Sequence, residues 1–494
     1  MQGDETREDR SGGPSPAQLD DLRADLLVDL RSVFLGRLLT SVEDVEPFVV
    51  DWRRTWRGDC LAVVQPDSPA DVAAIVQWCA ARLVPVVTQG GNTGLSGGAT
   101  PSVGSGAVVL STTRIRAVRH VDVVNNTITV DAGCTLAQVQ EAAVAAGRLF
   151  PLSLAAEGTC TIGGNLATNA GGTAVLRFGT ARELCLGLEV VTASGELWDG
   201  LTGLRKDNTG YALRDLFIGS EGTLGVITGA VLKLYPLPAV REVALLAVPS
   251  LSNAVGVFQH LSAGLGQQLV ACEVLNAACV QLVHANTATR SPFSIDTPWL
   301  VLVEVNSMRA DQSAREELER SLAGLLDASR ISDAVIASSS AQSELFWALR
   351  EEVSEAQGAA GPTIKHDVAV PISLIESFVE RAHTAVNSVT SDVRFVTFGH
   401  LGDGNLHYNL SPLPDGDPLA FRALQDRLNQ VVHDVVRACG GSISAEHGLG
   451  VLRSVEADRY RSTTDRKLQH AVKRALDPHG IMNPGKFLPA ATNH

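Results

Sequence analysis

At 494 residues the chain is longer than one typical domain, so its length predicts two or three domains. Hydrophobic residues make up 45% and charged residues 19%, a balance typical of globular domains with more than one core. The formal net charge of −14 argues against a general phosphate-binding surface, so no nucleic-acid partner is expected.

Residues 1–45 are predicted to form a polar tail and a first helix that opens at Ser15-Pro16. The tail lacks a basic segment followed by an apolar one, which a secretory signal would require. No apolar run reaches the roughly 18–20 residues that a membrane-spanning helix needs. The cysteines never form CxxC, which is typical of buried thiols in a reduced compartment. Together these features predict a cytoplasmic protein without a transmembrane segment.

From about residue 46, short β-rich runs alternate with glycine-rich loops. The run "VPVVT" (84–88) leads directly into "QGGNTGLSGG" (89–98). At the end of a strand, such a loop lets successive backbone N–H groups converge on an anion such as a pyrophosphate. The loop matches neither the GxGxxG of a Rossmann fold nor the GxxxxGK[ST] of a P-loop. A flexible surface loop is the alternative explanation for one such tract.

Two further glycine-rich segments follow in the same region. "EGTCTIGGNLATNAGG" spans 157–172, and "GSEGTLGVIT" (219–228) leads into another strand. Antiparallel hairpins are predicted around them, with turns at Asn125-Asn126 and Ser194-Gly195. Three glycine-rich segments in one region favour a long dinucleotide that runs between them.

In their order and spacing, these three segments resemble the flavin-binding domain of the vanillyl-alcohol-oxidase superfamily. The resemblance implies FAD, bound noncovalently because the first loop lacks the histidine through which some members attach flavin. The implied fold is α+β. It has a two-part FAD-binding domain (46–238), an α+β substrate domain or cap (239–450), and a C-terminal helical segment (451–494) that returns to the FAD-binding domain.

The resemblance also implies which residues contact FAD. The first loop would bind the pyrophosphate, the second tract would lie along the rest of the cofactor, and the third segment would lie near the adenosine end. In that order, the implied residues are Gly90, Gly91, Asn92, Thr93, Gly94, Leu95 and Ser96; Gly158, Thr159, Gly163, Gly164, Asn165 and Thr168; and Glu221, Gly222 and Ile227.

Beyond residue 239, strands alternate with longer helices, and a mixed or antiparallel sheet is predicted. "GHLGDGNLHYNL" (399–410) carries two histidines around Asp403-Gly404, a hairpin-turn signal. A chain reversal there brings His400 beside His407, and strand alternation puts His407 and Asn409 on one face. Two neutral imidazoles supply half of a metal site, and Glu446 in "SAEHGLG" offers a third ligand. The alternative is a surface hairpin whose histidines bind nothing.

Glu446 and His447 are adjacent, so in a regular strand they would point to opposite sides. They can face one site only if the strand breaks there, and Gly448 allows the break. "HLGDGNLHYN" and "SAEHGLG" resemble the metal-dependent D-2-hydroxyacid dehydrogenases of the same superfamily, over nearly all of 45–490. This resemblance implies that His400, His407 and Glu446 bind Zn²⁺ (or Mn²⁺ or Co²⁺), that His447 is the catalytic base, and that Asn409 contacts the substrate.

The segment "WALREEVSEA…IKHDVAVP" resembles the D-2-hydroxyglutarate branch, which implies that Arg350, Ser354 and Lys365 hold the distal carboxylate. Serine stands where that branch usually has threonine. Arg350 and Ser354 are i,i+4 neighbours in a helix predicted near 341–356, and a solvated helix face is the alternative. We expect oxidation of D-2-hydroxyglutarate to 2-oxoglutarate, with hydride passing from C2 to flavin. D-lactate, glycolate or another D-2-hydroxy acid is the alternative substrate.

Two other classes of function fit parts of the pattern. A metal hydrolase would use the same His/His/Glu cluster without flavin. A non-catalytic FAD-binding module would keep the loops and need no metal. For the dehydrogenase, the expected partners are a small anionic 2-hydroxy acid and an electron acceptor, either an electron-transfer flavoprotein or a quinone. A homodimer is a candidate assembly.

Overall fold

The computed structural model describes residues 16–489; Ser15, the proposed cap of the first helix, and most of the predicted tail lie outside them. Within this range, none of the helices has the length and apolar composition that a membrane crossing requires. The strands are β1 (Arg37–Leu39), β2 (Ala62–Gln65), β3 (Val86–Gln89), β4 (Val108–Ser111), β5 (Val118–Asp122), β6 (Thr127–Asp131), β7 (Arg148–Leu149), β8 (Cys185–Thr192), β9 (Leu197–Gly200), β10 (Gly225–Lys233), β11 (Tyr235–Pro236), β12 (Val240–Val248), β13 (Leu269–Asn276), β14 (Trp299–Ser307), β15 (Asp333–Ile336), β16 (Asp367–Ala369), β17 (Arg394–His400) and β18 (Asn405–Ser411).

The α-helices are α1 (Pro16–Val33), α2 (Val42–Val49), α3 (Pro69–Arg82), α4 (Leu136–Ala145), α5 (Ile162–Ala167), α6 (Val175–Phe178), α7 (Ala181–Leu184), α8 (Arg214–Phe217), α9 (Leu251–Leu265), α10 (Ala277–Asn286), α11 (Ser313–Asp327), α12 (Ser340–Glu351), α13 (Val353–Ala359), α14 (Ile375–Asn387), α15 (Pro418–Ala423), α16 (Gln425–Ala438), α17 (Ser454–Tyr460) and α18 (Thr463–Leu476). The helix predicted near 341–356 is two helices, because α12 ends at Glu351 and α13 begins at Val353.

The first sheet positions the loop 89–98. Strands β2, β4 and β3 run parallel, and β1 adds an antiparallel edge, in the order β1-β2-β4-β3. Helix α3 crosses from β2 to β3 and buries Val72 and Ile75 against the sheet. The loop leaves the carboxyl end of β3, where the Gln89 side chain donates to the carbonyls of Phe48 and Ala99, both at 2.9 Å. A parallel strand end therefore anchors the first glycine-rich loop.

The second sheet is antiparallel, in the order β5-β6-β10-β8-β9. The two predicted hairpins are present, and their turns carry Asn126 at φ +53° and Gly195 at φ +82°. The second glycine-rich tract packs tightly on this sheet. The N–H of Gly163 donates to the carbonyl of Ala132 at 2.8 Å, and a Cβ on Gly163 would lie 2.8 Å from the Ala132 Cβ.

The cap is built on a seven-stranded antiparallel sheet, in the order β15-β12-β14-β13-β17-β18-β16. Helices α9, α11, α14 and α16 bury apolar side chains on one face, and α10, α12 and α13 do so on the other. The predicted histidine hairpin is β17–β18, which lies inside this sheet between β13 and β16. The hairpin is therefore covered by neighbouring strands and helices.

The C-terminal segment returns to the first sheet. The N–H of Val86 donates to the carbonyl of Ile481 at 2.8 Å, and the N–H of Asn483 donates to the carbonyl of Val86 at 2.7 Å. The Asn483 side chain also donates to the carbonyls of Gly98 and Glu221, at 2.9 and 2.7 Å. This segment therefore joins the first glycine-rich loop to the third.

Candidate active site

The hairpin brings the two predicted imidazole ligands together. In the β17–β18 register, His400 lies opposite Asn405 and Phe398 lies opposite His407. The two imidazole ring centroids are 5.8 Å apart. Glu446 completes the cluster, with one carboxylate oxygen 3.9 Å from His400 Nε2 and the other 3.5 Å from His407 Nε2. One donor atom from each of the three residues falls within 4.8 Å of the others, a set that fits a divalent cation.

The chain around Glu446 and His447 is an irregular loop, and Gly448 has φ +73°. The predicted break in the strand is therefore present. As a result, His447 Nε2 lies 3.5 Å from a Glu446 carboxylate oxygen, and the His407 and His447 rings stack at 5.8 Å. The base proposed from the sequence thus faces the same cluster as the three ligands.

Asp367, a buried carboxylate at the start of β16, holds this loop and was not predicted from the sequence. Its Oδ2 accepts the backbone N–H groups of Ala445, Glu446 and His447, at 3.2, 3.0 and 3.0 Å. The same oxygen lies 3.3 Å from Nδ1 of His447, and Oδ1 accepts from the Asn405 amide at 2.9 Å. Burial would raise the pKa of Asp367, but His447, His407 and the N–H bonds lower it to about 2.

Glu273 is the second residue that the sequence analysis missed. It lies in the middle of β13, opposite His400, and its side chain is 1% exposed. One carboxylate oxygen is 2.7 Å from His400 Nδ1, and the other accepts from Arg350 Nε at 2.8 Å. Burial would raise the pKa of Glu273, but His400 and Arg350 lower it to about 2. The only sequence signal was a single acidic residue within the apolar strand "LVACEVLN".

The two histidines predicted to be ligands differ in their electrostatics. Burial would lower the pKa of His400, but the carboxylate of Glu273 raises it to about 9. Burial and the nearby charge of Arg350 lower the pKa of His407 well below its usual value. Because a metal binds neutral imidazole, a bound cation would displace the proton from His400.

The four predicted substrate residues lie in different surroundings. Arg350 is buried, over the face of Phe398 at 4.8 Å, so it is not part of a solvated helix face. Ser354 is exposed on α13, beyond the helix break, and no hydrogen bond joins it to Arg350 within the described residues. Asn409 is buried, and its amide donates to Gln357 at 2.9 Å and accepts from the N–H of His366 at 3.2 Å.

Lys365 supplies a second cation in the cap. Burial and the charge of Arg53 lower the pKa of Lys365 to about 8. Arg53 comes from the loop between α2 and β2, so the two cations belong to different parts of the fold. Within residues 16–489, no acidic side chain forms an ion pair with the Lys365 ammonium. The surroundings of Lys365 therefore suit an anionic ligand.

The implied flavin residues occupy three places around the first two sheets. Gly90 to Ser96 form the loop after β3, and Gly158 and Thr159 lie in the turn before α5. Gly163, Gly164 and Asn165 are in α5, and Thr168 caps its carboxyl end. Glu221 and Gly222 form the turn before β10, and Ile227 lies within β10 at a bulge.

The residues at these places fit a long polar ligand such as FAD. The hydroxyls of Thr88 and Thr161 are buried without a hydrogen-bond partner in the described chain. A Cβ on Gly91 would lie 1.9 Å from the carbonyl oxygen of Thr159, whereas a Cβ on Gly94 would meet nothing within 4 Å. The first loop thus packs against the second tract on one side and leaves open space on the other, with hydroxyl donors close by.

Hydrogen bonds join the segments implied to bind flavin directly to the His447 loop. The Ser96 hydroxyl donates to the carbonyls of His447 and Gly448, at 3.3 and 3.1 Å. The carboxylate of Glu221 accepts the N–H groups of Leu449 and Gly450, both at 2.7 Å. A cavity of about 620 Å³ adjoins this junction, and its lining includes Thr168, Asn169, Glu221, Glu446 and Arg461.

Comparisons with known proteins agree with this architecture. Residues 60–200 match the family described as FAD binding domain, and residues 237–487 match the family described as FAD linked oxidases, C-terminal domain. The second match alone covers half of the chain. The chain belongs to the FAD-linked oxidases. The solved structure of p-cresol methylhydroxylase with substrate bound shares the fold of this FAD-linked oxidase, with a TM-score of 0.75 and 15% identity over 98% of this chain and 99% of that one.

Curated relatives are similar along most of this FAD-linked oxidase. D-2-hydroxyglutarate dehydrogenase of Xanthomonas citri pv. viticola is 39% identical, over 91% of this chain and 94% of the relative. The mitochondrial D-2-hydroxyglutarate dehydrogenase of Bos taurus is 38% identical, over 94% of this chain and 84% of the relative. The predictions of a vanillyl-alcohol-oxidase type of α+β fold and of an FAD-dependent hydroxyacid dehydrogenase are confirmed.

One prediction is wrong by the same comparison. A cytoplasmic location was expected from the N-terminal composition, but the relatives from Bos taurus, Rattus norvegicus and Arabidopsis thaliana are named mitochondrial. The name of the Xanthomonas relative gives no compartment. The composition of a polar tail therefore does not determine the compartment of this FAD-linked oxidase.

Proposed function

We propose that this FAD-linked oxidase oxidises D-2-hydroxyglutarate to 2-oxoglutarate with the help of a divalent metal ion held by His400, His407 and Glu446. Zn²⁺ is the first candidate for this ion. The single observation that carries the proposal is the gathering of these three donors within 4.8 Å, beside His447. A metal alone would also fit a hydrolase, but the FAD-binding family match favours redox chemistry. The alternative of an FAD-binding module without catalysis gives no reason for such a cluster.

The protein residues would divide the work of the reaction. A divalent cation held by His400, His407 and Glu446 would neutralise charge on a hydroxy acid and acidify its C2 hydroxyl, and FAD would supply the hydride acceptor. His447 Nε2 would take the hydroxyl proton, since it faces the ligand cluster and is 3.5 Å from Glu446. Asp367 would hold the opposite ring nitrogen of His447 and so fix the orientation of the ring.

Buried cations support a second carboxylate on the substrate. Arg350 would contribute its two Nη groups, which form no hydrogen bond within the described residues. Lys365 would contribute its ammonium, which lies near Arg53 and is paired with no carboxylate of the described chain. Asn409 would contact the substrate through its remaining amide N–H, since its other contacts are to Gln357 and His366. The names of the two relatives give the same substrate.

A shorter D-2-hydroxy acid such as D-lactate is the second candidate, because Ser354 does not complete the predicted distal group. Ser354 is exposed, and no hydrogen bond joins it to Arg350 in the part of the chain described. A dicarboxylate site would then rest on Arg350 and Lys365 alone. The two candidates differ in chain length and share the metal, the base and the flavin.

The test is anaerobic mixing of the yellow protein with D- and L-2-hydroxy acids while flavin absorbance is followed. We expect D-2-hydroxyglutarate to bleach the flavin fastest and its L-enantiomer to leave it oxidised. Chelator-treated protein should keep FAD and lose bleaching, and Zn²⁺, Mn²⁺ or Co²⁺ should restore it. Full activity of protein that elemental analysis shows to be metal-free would overturn the metal assignment. A colourless protein without releasable FAD would favour the hydrolase.

A further inference from the structure

Glu273 contacts one residue from each of two parts of the proposed site. It contacts His400, a proposed metal ligand, and Arg350, a proposed substrate ligand, through different carboxylate oxygens at 2.7 and 2.8 Å. Both partners are also buried, with side-chain exposures of 9% and 10%. A charged carboxylate at this depth is stable only when it is paired on both sides.

The fold fixes these contacts from three directions. The pairing of β13 with β17 sets Glu273 opposite His400, and α12 brings Arg350 from the helix layer on one face of the sheet. Phe398, two residues before His400 on β17, supports the guanidinium at 4.8 Å. A shift of either His400 or Arg350 would therefore be transmitted to the other through one carboxylate.

We propose that Glu273 is a positioning residue that couples metal binding to substrate binding, an inference that rests on the proposed function. By accepting Nδ1–H of His400, it leaves Nε2 as the nitrogen that faces the metal ligands. By accepting Nε–H of Arg350, it holds the guanidinium and leaves the two Nη groups, which form no hydrogen bond within the described residues, available to a carboxylate. Outer carboxylates that accept from a metal-ligating histidine commonly tune a metal site in this way.

Replacement by glutamine separates the two contacts. Both partners present an N–H to Glu273, and glutamine has only one acceptor oxygen. If that oxygen faces Arg350, the amide N–H₂ meets His400 Nδ1 and favours the tautomer with a proton on Nε2, which cannot bind a metal. If it faces His400, Arg350 is displaced. Glu273→Gln must therefore weaken either the metal or the substrate.

The experiment compares wild type, Glu273→Gln, Arg350→Met and the double variant, all loaded with FAD and depleted of metal. The Kd for Zn²⁺ is measured by chelator competition, and the KM for D-2-hydroxyglutarate is measured on Zn²⁺-saturated enzyme. We expect Glu273→Gln to raise one of the two constants by roughly 10–100-fold. In the Arg350→Met background its effect should be several-fold smaller, because the glutamine oxygen is then free to accept from His400.

Wild-type values of both constants in Glu273→Gln would overturn the coupling, and so would effects of the two substitutions that multiply independently. If Glu273→Gln does not fold, Arg350→Met/Glu273→Met is compared with Arg350→Met. Methionine offers His400 no acceptor, so the Kd for Zn²⁺ should rise by about 10–100-fold, and equal values would reject the proposal. A wild-type protein that binds no Zn²⁺ would instead reject the proposed function, and the coupling with it.

Discussion

The segments proposed to bind flavin and the cap offer different chemistry to the proposed site. The first loop offers glycine backbone and hydroxyl groups, and its side chains carry no charge. The cap offers charged side chains, and buried carboxylates hold some of its groups in place, as Glu273 holds His400 and Asp367 holds the His447 loop. A substitution in the loop should therefore act locally, by changing the steric fit of the backbone. A substitution in the cap should also disturb the charged groups to which the substituted residue is hydrogen-bonded. Substitutions in each half test this difference.

The largest effect is expected at the base. His447→Asn should slow flavin reduction by D-2-hydroxyglutarate by roughly 10²–10⁴-fold, because the hydroxyl proton loses its acceptor. FAD and Zn²⁺ content should stay close to wild type, since His447 is in neither proposed ligand set. Rapid-mixing absorbance measures the rate, and elemental analysis provides the control. A rate of flavin reduction near that of wild type would show that His447 is not the base.

A smaller effect, restricted to one substrate class, is expected for Arg350→Met. A lost charge-assisted hydrogen bond costs about 1.5–3 kcal/mol. The kcat/KM for D-2-hydroxyglutarate should therefore fall roughly 10–100-fold more than that for D-lactate or D-2-hydroxybutyrate. Ser354→Ala is the matched control on the neighbouring helix, and its effect should be smaller because Ser354 is exposed. Equal losses on both classes would place Arg350 at the C1 carboxylate that they share.

In the loop, adding one methyl group at each of two glycines should distinguish a glycine that packs against the protein from one that borders the proposed FAD site. A Cβ at Gly91 would lie 1.9 Å from the backbone oxygen of Thr159, so Gly91→Ala should lower the free energy of unfolding by about 1–3 kcal/mol. Gly94→Ala, with nothing within 4 Å of its Cβ, should keep the apoprotein stable and weaken FAD binding. Thermal melts with and without FAD measure both. Identical behaviour of the two variants would contradict the orientation of the loop.

The smallest effect is a pH dependence from Lys365, whose pKa is lowered to about 8 by burial and by Arg53. Only the protonated ammonium pairs with a carboxylate, and its fraction falls as pH rises through about 8. The kcat/KM for D-2-hydroxyglutarate should therefore fall by about tenfold between pH 7 and 9. The Lys365→Arg variant stays charged and should lose this fall. If the arginine variant shows the same fall, the titrating group lies elsewhere.

Features that depend on local chemistry could be predicted from the sequence alone. Asp403-Gly404 predicted the hairpin that joins His400 to His407, and Gly448 predicted the break that lets Glu446 and His447 face one cluster. Glycine spacing predicted three segments for FAD, and their assignment stays a prediction. These predictions needed only turn preferences and strand alternation, which act over a few neighbouring residues. The family resemblance added the fold and the flavin.

The buried charges that support the proposed site could not be read from the sequence. Glu273 meets His400 across 127 positions and Arg350 across 77, and Asp367 meets the N–H of His447 across 80. Arg350 is buried before the break between α12 and α13 and Ser354 is exposed after it, a break that the apolar periodicity did not reveal. Periodicity describes one element at a time. The pairing of two buried side chains depends on how strands and helices distant in sequence align. Because burying a charge costs desolvation free energy, a buried charge is stable only where that alignment brings a partner to it.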